Sequence, residues 1–166
     1  AYFSMAYASR EPERNNFTDN GKYPAPNAEH LFDVELGYQY TGNNWYAGTN
    51  FYYMGYKDQF VQTGEQSDIG ENLTTNVKDS YRMGAELSAG WNVTSWFTLE
   101  GNAALSINKI KDFNEFVDNW DNKKNPLKVH YDNSTLAFSP STILNGFMNF
   151  HYKGAQLVWH TNFVSR

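Results

Sequence analysis

The sequence predicts an all-β fold, an antiparallel up-and-down meander of about seven long strands that forms part of a transmembrane β-barrel. Three observations lead there. Apolar and polar residues alternate with period two over long stretches. Short and long connections alternate strictly along the chain. Aromatic side chains collect beside the short connections.

The first stretch, residues 3–10, alternates weakly. The second, 31–41, is clean: Phe32, Val34, Leu36, Tyr38 and Tyr40 share one face, and Asp33, Glu35, Gly37, Gln39 and Thr41 the other. Residues 45–60 carry a looser pattern. At 81–93, Tyr81, Met83, Ala85, Leu87, Ala89, Trp91 and Val93 alternate with Arg82, Gly84, Glu86, Ser88, Gly90 and Asn92. At 97–107, Phe97, Leu99, Ala103, Leu105 and Ile107 lie opposite Thr98, Glu100, Asn102, Ala104 and Ser106. Weaker stretches at 142–152 and 155–165 complete the set. One apolar and one polar face per strand is the pattern of a half-wet antiparallel sheet.

Thr41-Gly42-Asn43-Asn44, Asn92-Val93-Thr94-Ser95 and Lys153-Gly154 read as tight hairpin turns. The links at 11–30, 61–80 and 111–134 are long and polar. In a meander this puts every tight turn at one end and every long link at the other. Strands of soluble sandwiches run about 5–6 residues, whereas a tilted strand needs about 9–11 to cross a bilayer, and these stretches reach that length. Tyr38, Tyr40, Trp45, Tyr46, Trp91, Trp96 and Phe97, near the turns, would form an interfacial girdle. Asp33, Glu35, Arg82, Glu86, Glu100 and Asn102 would line a water-filled or plugged lumen, or face solvent if the chain were a sandwich.

The composition removes other classes. Five Trp, 12 Tyr and 12 Phe argue against disorder. A net charge of −5 with no basic run argues against a nucleic-acid partner. With no Cys, disulfides, thiolate catalysis and Cys-ligated metal are excluded. No apolar run is long enough for a transmembrane helix. Neither a nucleophile elbow nor a phosphate loop occurs, so no enzymatic activity and no cofactor is expected. The opening Ala1-Tyr2-Phe3-Ser4-Met5 is already strand-like, so residues 1–166 read as one partial barrel segment of a longer chain.

Several segments follow in a set order. Tyr7-Ala8-Ser9-Arg10-Glu11-Pro12 ends a strand in an Arg-x-Pro step, and Asn27-Ala28-Glu29-His30-Leu31 leads into Glu35-Leu36-Gly37-Tyr38. Phe51-Tyr52-Tyr53-Met54-Gly55-Tyr56-Lys57-Asp58-Gln59 rises to a long link, and Tyr81-Arg82-Met83-Gly84-Ala85-Glu86 descends from it. Ala104-Leu105-Ser106-Ile107-Asn108-Lys109-Ile110-Lys111-Asp112-Phe113 ascends again, and Phe138-Ser139-Pro140 opens a further strand. This order resembles the barrel of TonB-dependent outer-membrane receptors of the Bacteroidetes type. The segment at Asn27 departs from the family pattern, with Pro24 and Pro26 upstream in place of a proline after Asn. The resemblance implies a bacterial outer-membrane location, outer-membrane lipid around the wall, an N-terminal plug and further strands outside this segment, energisation through TonB, and uptake of a chelated metal or glycan. The rival reading is a soluble carbohydrate-binding β-sandwich module that stacks aromatics on sugar rings.

Candidate ligand-binding residues are those of the polar face near the long links: Arg10, Asp58 and Arg82, with Trp120 in the link above. Fixed charges and an aromatic suit a polar ligand through charge-assisted hydrogen bonds and stacking. In the third long link, Asp112, Glu115, Asp118 and Asp121 alternate with Phe113, Phe116, Val117 and Trp120 at helical spacing, which predicts a short amphipathic helix over the mouth. His151 and His160 flank the last turn and could oppose each other, but two His make half a zinc site, so no metal is expected.

Overall fold

The computed structural model describes residues 1–18, 24–66, 70, 72–117 and 127–165. It contains β1 (Tyr2–Arg10), a short α1 (Arg14–Thr18), β2 (Glu29–Thr41), β3 (Trp45–Gln66), β4 (Asn72–Thr94), β5 (Phe97–Val117), β6 (Leu127–Thr135), β7 (Thr142–Tyr152) and β8 (Ala155–Val164). All eight strands join one antiparallel sheet in the order β1-β2-β3-β4-β5-β7-β8, with β6 also paired to β5. Among the described residues no helix is long and apolar enough to cross a membrane; the strands are the elements of the right length.

The eight strands make seven staves. β6 pairs with the outer part of β5, from Lys109↔Thr135 to Val117↔Leu127. β7 pairs with its lower part, from Leu105↔Thr142 to Phe97↔Phe150. Together they are one descending stave, broken at residues 136–141. The Ser106 N–H donates to the Ser141 carbonyl and the Leu136 N–H to that of Asn108, while the Ser106 hydroxyl holds the Pro140 carbonyl at 3.0 Å. Phe138, at φ 56 and 95% exposed, stands out of this break.

The register sorts side chains onto two faces, because directly paired residues share a face. One face carries Phe3–Leu36–Phe51–Ala85–Leu105 in one row and Thr49–Leu87–Ala103–Leu144–Phe163 in the next. Its large apolar side chains, Phe51, Leu87, Leu105 and Phe163 among them, are exposed. At the tight-turn end this face bears Trp45, Trp91, Leu99, Met148 and Trp159 in one row. At the other end it bears His30, Lys57, Asp79 and Lys111. From Tyr81 to Trp91 the strand rises about 26 Å at about 3.4 Å per residue and a tilt of about 40°, close to the roughly 25 Å apolar band of a membrane barrel. A shallow groove of about 740 Å³ lies on this face, where Ala47, Ala89, Gly101 and Ala103 are framed by Trp45, Trp91, Leu87 and Leu144.

Four sequence expectations change. The long links at 61–80 and 111–134 are largely strand: β3, β4 and β5 run 22, 23 and 21 residues and continue well beyond the apolar band. The helix expected from Asp112 onward is instead β5 up to Val117, since pairing with β6 satisfies its backbone and overrides the helical spacing; Asp118, Trp120 and Asp121 lie outside the described residues. His151 and His160 do not oppose each other, because the register pairs His151 with Gln156 and His160 with Phe147. Tyr46 belongs to the inner face, not the girdle: its hydroxyl reaches Glu100 at 3.3 Å.

The alternation breaks where the sheet leaves the apolar band. Asp58 and Asp112 both have positive φ, at 53° and 56°, a conformation Asp tolerates better than most residues. Beyond them, side chains change faces. Ile110 and Phe113, three apart on β5, contribute to one cluster with Val61, Val77 and Leu136. This outer cluster holds three of the four buried apolar residues found among the described residues.

Candidate functional site

The inner face is a polar wall with side chains bonded across strands. Asn162 Nδ2 donates to Asn145 Oδ1 and Asn145 Nδ2 to Asn102 Oδ1, both at 2.8 Å, so three asparagines form a ladder over β8, β7 and β5. One row lower, Glu100 accepts from Tyr46 on one side and from Asn149 Nδ2 at 3.0 Å on the other. The His160 ring stacks on Phe147 with centroids 4.4 Å apart. Glycine makes this wall flat: a Cβ on Gly90 would collide with the Tyr46 ring, which lies across that backbone to reach Glu100. Tyr2 lies over Gly37 in the same way, its hydroxyl 3.5 Å from Glu35.

Towards the outer end the wall becomes charged. Asp33, Met54, Arg82 and Asn108 form one row, and Leu31, Tyr56, Ser80 and Ile110 the next. Arg82 Cζ sits 5.9 Å from the Tyr56 ring centroid. Glu29, Asp33 and Arg10 also fall within electrostatic reach of the Tyr56 hydroxyl. Among the described residues, Asp33 Oδ1, Asn50 Oδ1 and Arg82 Nε, all on this face, are buried without a hydrogen-bond partner. Thr49 Oγ1 on the opposite face is in the same state; buried polar atoms in folded proteins nearly always have a partner, so these atoms are exceptions in the sheet.

At the mouth, Arg10 makes a 3.4 Å ion pair with Glu29 and lies 5.2 Å over the Phe60 ring. The other function of Glu29 is structural: its Oε2 accepts the Phe60 N–H at 2.9 Å. Asn76 fastens the first long link, accepting the Asn27 N–H at 2.9 Å and donating back to the Asn27 carbonyl at 3.1 Å. The same Asn76 amide donates to the Asp58 carbonyl at 2.6 Å. A hollow of about 260 Å³ opens between Arg10, Glu13, Asn16, Phe60 and Thr74.

Three of the four sequence candidates can be placed. Arg82 lies against the Tyr56 ring, whereas Arg10 lies at the mouth against Glu29 and Phe60. Asp58 stands out by its backbone, a positive-φ residue whose carbonyl is held by Asn76. Trp120 lies outside the described residues. Sequence reading missed Glu29, Tyr56, Phe60 and Asn76. Glu29 and Tyr56 stood inside the quoted segments, but nothing in spacing alone shows that they meet.

A family model described as the outer membrane protein β-barrel family matches residues 27–163. The chain belongs to that family. This places it in the outer membrane, and the long strand extensions of the barrel then lie on its outer side, because such barrels turn tightly at the periplasmic end. Among solved structures, a copper transporter, OprC, matches with a TM-score of 0.68 and 19% identity, over 96% of this chain and 23% of that one. The FrpB iron transporter from Neisseria meningitidis (F3-3 variant) matches with a TM-score of 0.61 and 17% identity, over 98% of this chain and 24% of that one. The chain therefore spans about a quarter of the length of these two barrels. No curated protein sequence matches it.

Proposed function

We propose that this outer-membrane barrel segment belongs to a TonB-dependent receptor of the Bacteroidetes type, forming barrel wall and outer loops for active uptake rather than catalysis. The observation that carries the reading is the inner wall, polar and charged from the Asn102–Asn145–Asn162 ladder to the row of Asp33 and Arg82, behind a face of exposed apolar side chains. A polar wall of this kind suits a plug packed inside the barrel, and a plugged barrel needs energy from the inner membrane to open. Arg10, Asp58, Arg82 and Trp120 are the proposed ligand contacts. The cargo is a chelated metal or a glycan. That the two similar structures are a copper and an iron transporter favours the metal chelate.

The test uses the whole receptor in cells. Uptake of a chelated metal should stop when TonB is deleted, while surface binding of the chelate persists. Ala at Arg10, Asp58, Arg82 or Trp120 should weaken that binding. Uptake indifferent to TonB would overturn the transport reading, and wild-type affinity in all four variants would remove the assigned contacts.

A further inference from the structure

The paired ladder of β2 and β3 runs from Thr41↔Tyr46 to His30↔Lys57 and stops there. The next residue of β3 is Asp58, whose φ of 53° turns the backbone out of strand geometry. Beyond it, side chains take over the hydrogen bonding. Glu29 Oε2 accepts the Phe60 N–H at 2.9 Å. Asn76, half-buried on β4, serves two partners at once. Its Oδ1 accepts the Asn27 N–H at 2.9 Å, and its Nδ2 donates back to the Asn27 carbonyl at 3.1 Å. The same Nδ2 donates to the Asp58 carbonyl at 2.6 Å. One side-chain amide therefore joins the first long link to the turned peptide of β3. Among the described residues the Asp58 carboxylate makes no hydrogen bond or ion pair, so its contribution here is its backbone.

We propose that Asp58, Asn76 and Asn27 form a conformational relay at the mouth. With Asp58 left-handed, Asn27 is fastened to β4; with Asp58 in ordinary extended backbone, it is released. Rotation to the extended form swings the Asp58 carbonyl away from Asn76. The amide then loses its shortest bond and is free to leave the orientation in which it meets both backbone groups of Asn27. Asp enters the left-handed region more readily than most residues, yet extended backbone remains the lower state for an L residue. The left-handed form therefore persists because the bonds around it hold it, and a residue held in this way can serve as one side of a two-state element. The relay rests on backbone geometry and stands whether or not Asp58 touches cargo. Where cargo does engage Asp58, capture also sets the state of the first link.

The experiment follows amide hydrogen exchange at Asn27 in the intact receptor in detergent micelles, by mass spectrometry with fragmentation. Pro24 and Pro26 carry no amide hydrogen, so Asn27 is read with little overlap. Asn76→Ala should speed exchange at Asn27 about tenfold, as loss of a hydrogen bond of ordinary strength implies. Asp58→Val, which disfavours the left-handed region and removes no side-chain bond, should speed it by a similar factor. Asp58→Gly, which suits that region, should stay within about twofold of wild type. Heat-modifiable migration and unchanged exchange at residues 83–91 show that the barrel is intact. Wild-type exchange at Asn27 in Asn76→Ala overturns the fastening. Wild-type exchange in Asp58→Val, or acceleration in Asp58→Gly equal to that in Asp58→Val, overturns the relay. Acceleration shared by residues 83–91 would show general loosening and overturn it as well.

Discussion

The wall within the apolar band and the sheet extension above it are built from the same strands, yet they place apolar side chains oppositely. Within the band, Leu36, Leu87, Leu99 and Leu105 point away from the lumen and are exposed. Above it, Val77, Ile110 and Leu136 are buried, with Val61 and Phe113 packed on them. The switch occurs at Asp58 and Asp112, the two positive-φ residues of the long strands. The difference is one of solvent. Acyl chains replace a protein core in the band, whereas in water the same residue types must find each other.

The largest effect expected from this comparison comes from removing the bilayer. The exposed apolar face then meets water, and β1 and β8 at the ends of the sheet order present unpaired backbone groups. The isolated chain in detergent-free buffer should self-associate. A dilute monomer in sedimentation that binds no hydrophobic dye would contradict the membrane wall.

Next, within the band the two faces should respond unequally to charge. In the full receptor folded into bilayers, Leu87→Arg or Leu105→Arg should cost about 2–4 kcal/mol, and Ser88→Arg on the inner face far less. Equal penalties would erase the distinction between the faces. Above the band, Ile110→Ala should cost about 2–3 kcal/mol through the cavity it leaves. Ile107→Ala, exposed on the lipid face, should cost clearly less because acyl chains close over it. Denaturant titration of both variants measures the contrast.

The switch itself can be stressed. Asp58→Val forces a β-branched side chain into the left-handed region and should destabilise by about 1–3 kcal/mol. Asp58→Gly, which suits that region, should stay within about 1 kcal/mol of wild type. Thermal unfolding of the reconstituted receptor distinguishes them, and a harmless Val would mean that the positive φ does not control the change of face.

The smallest effect is electrostatic and sits at the boundary. The hydrogen bond from Lys57 holds the Asp79 carboxyl below the ordinary carboxylate range, with partial burial opposing. A depressed folded value means that its stabilisation is present above the unfolded value, about 3.9, and is lost as pH falls through the folded one. Acidification below about pH 4 should therefore destabilise wild type slightly more than Asp79→Asn. Parallel acid titrations of the two would show identical curves if the pair contributes nothing.

Much of the wall could be read directly. The clean runs at 31–41, 81–93 and 97–107 fall inside β2, β4 and β5 with the expected faces, because period-two alternation is a local property that each strand carries by itself. The Lys153-Gly154 turn was equally legible, and both residues have positive φ, at 46° and 83°. The outer extensions were not. Their alternation is interrupted at Asp58 and Asp112, so a strand looks like a polar loop, and the helical spacing of Phe113 and Val117 is what remains after a change of face.

The sequence by itself determined the strand periodicity, the tight turns and hence a meander with an apolar and a polar side, since all of these depend on neighbours in the chain. Only the tertiary structure decided that β6 and β7 share one stave, that Tyr46 crosses Gly90 to reach Glu100, that Arg10 pairs with Glu29, and that Arg82 lies against Tyr56. Those contacts depend on register between strands far apart in sequence. Register is fixed by the summed fit of whole strands, and no single residue records it.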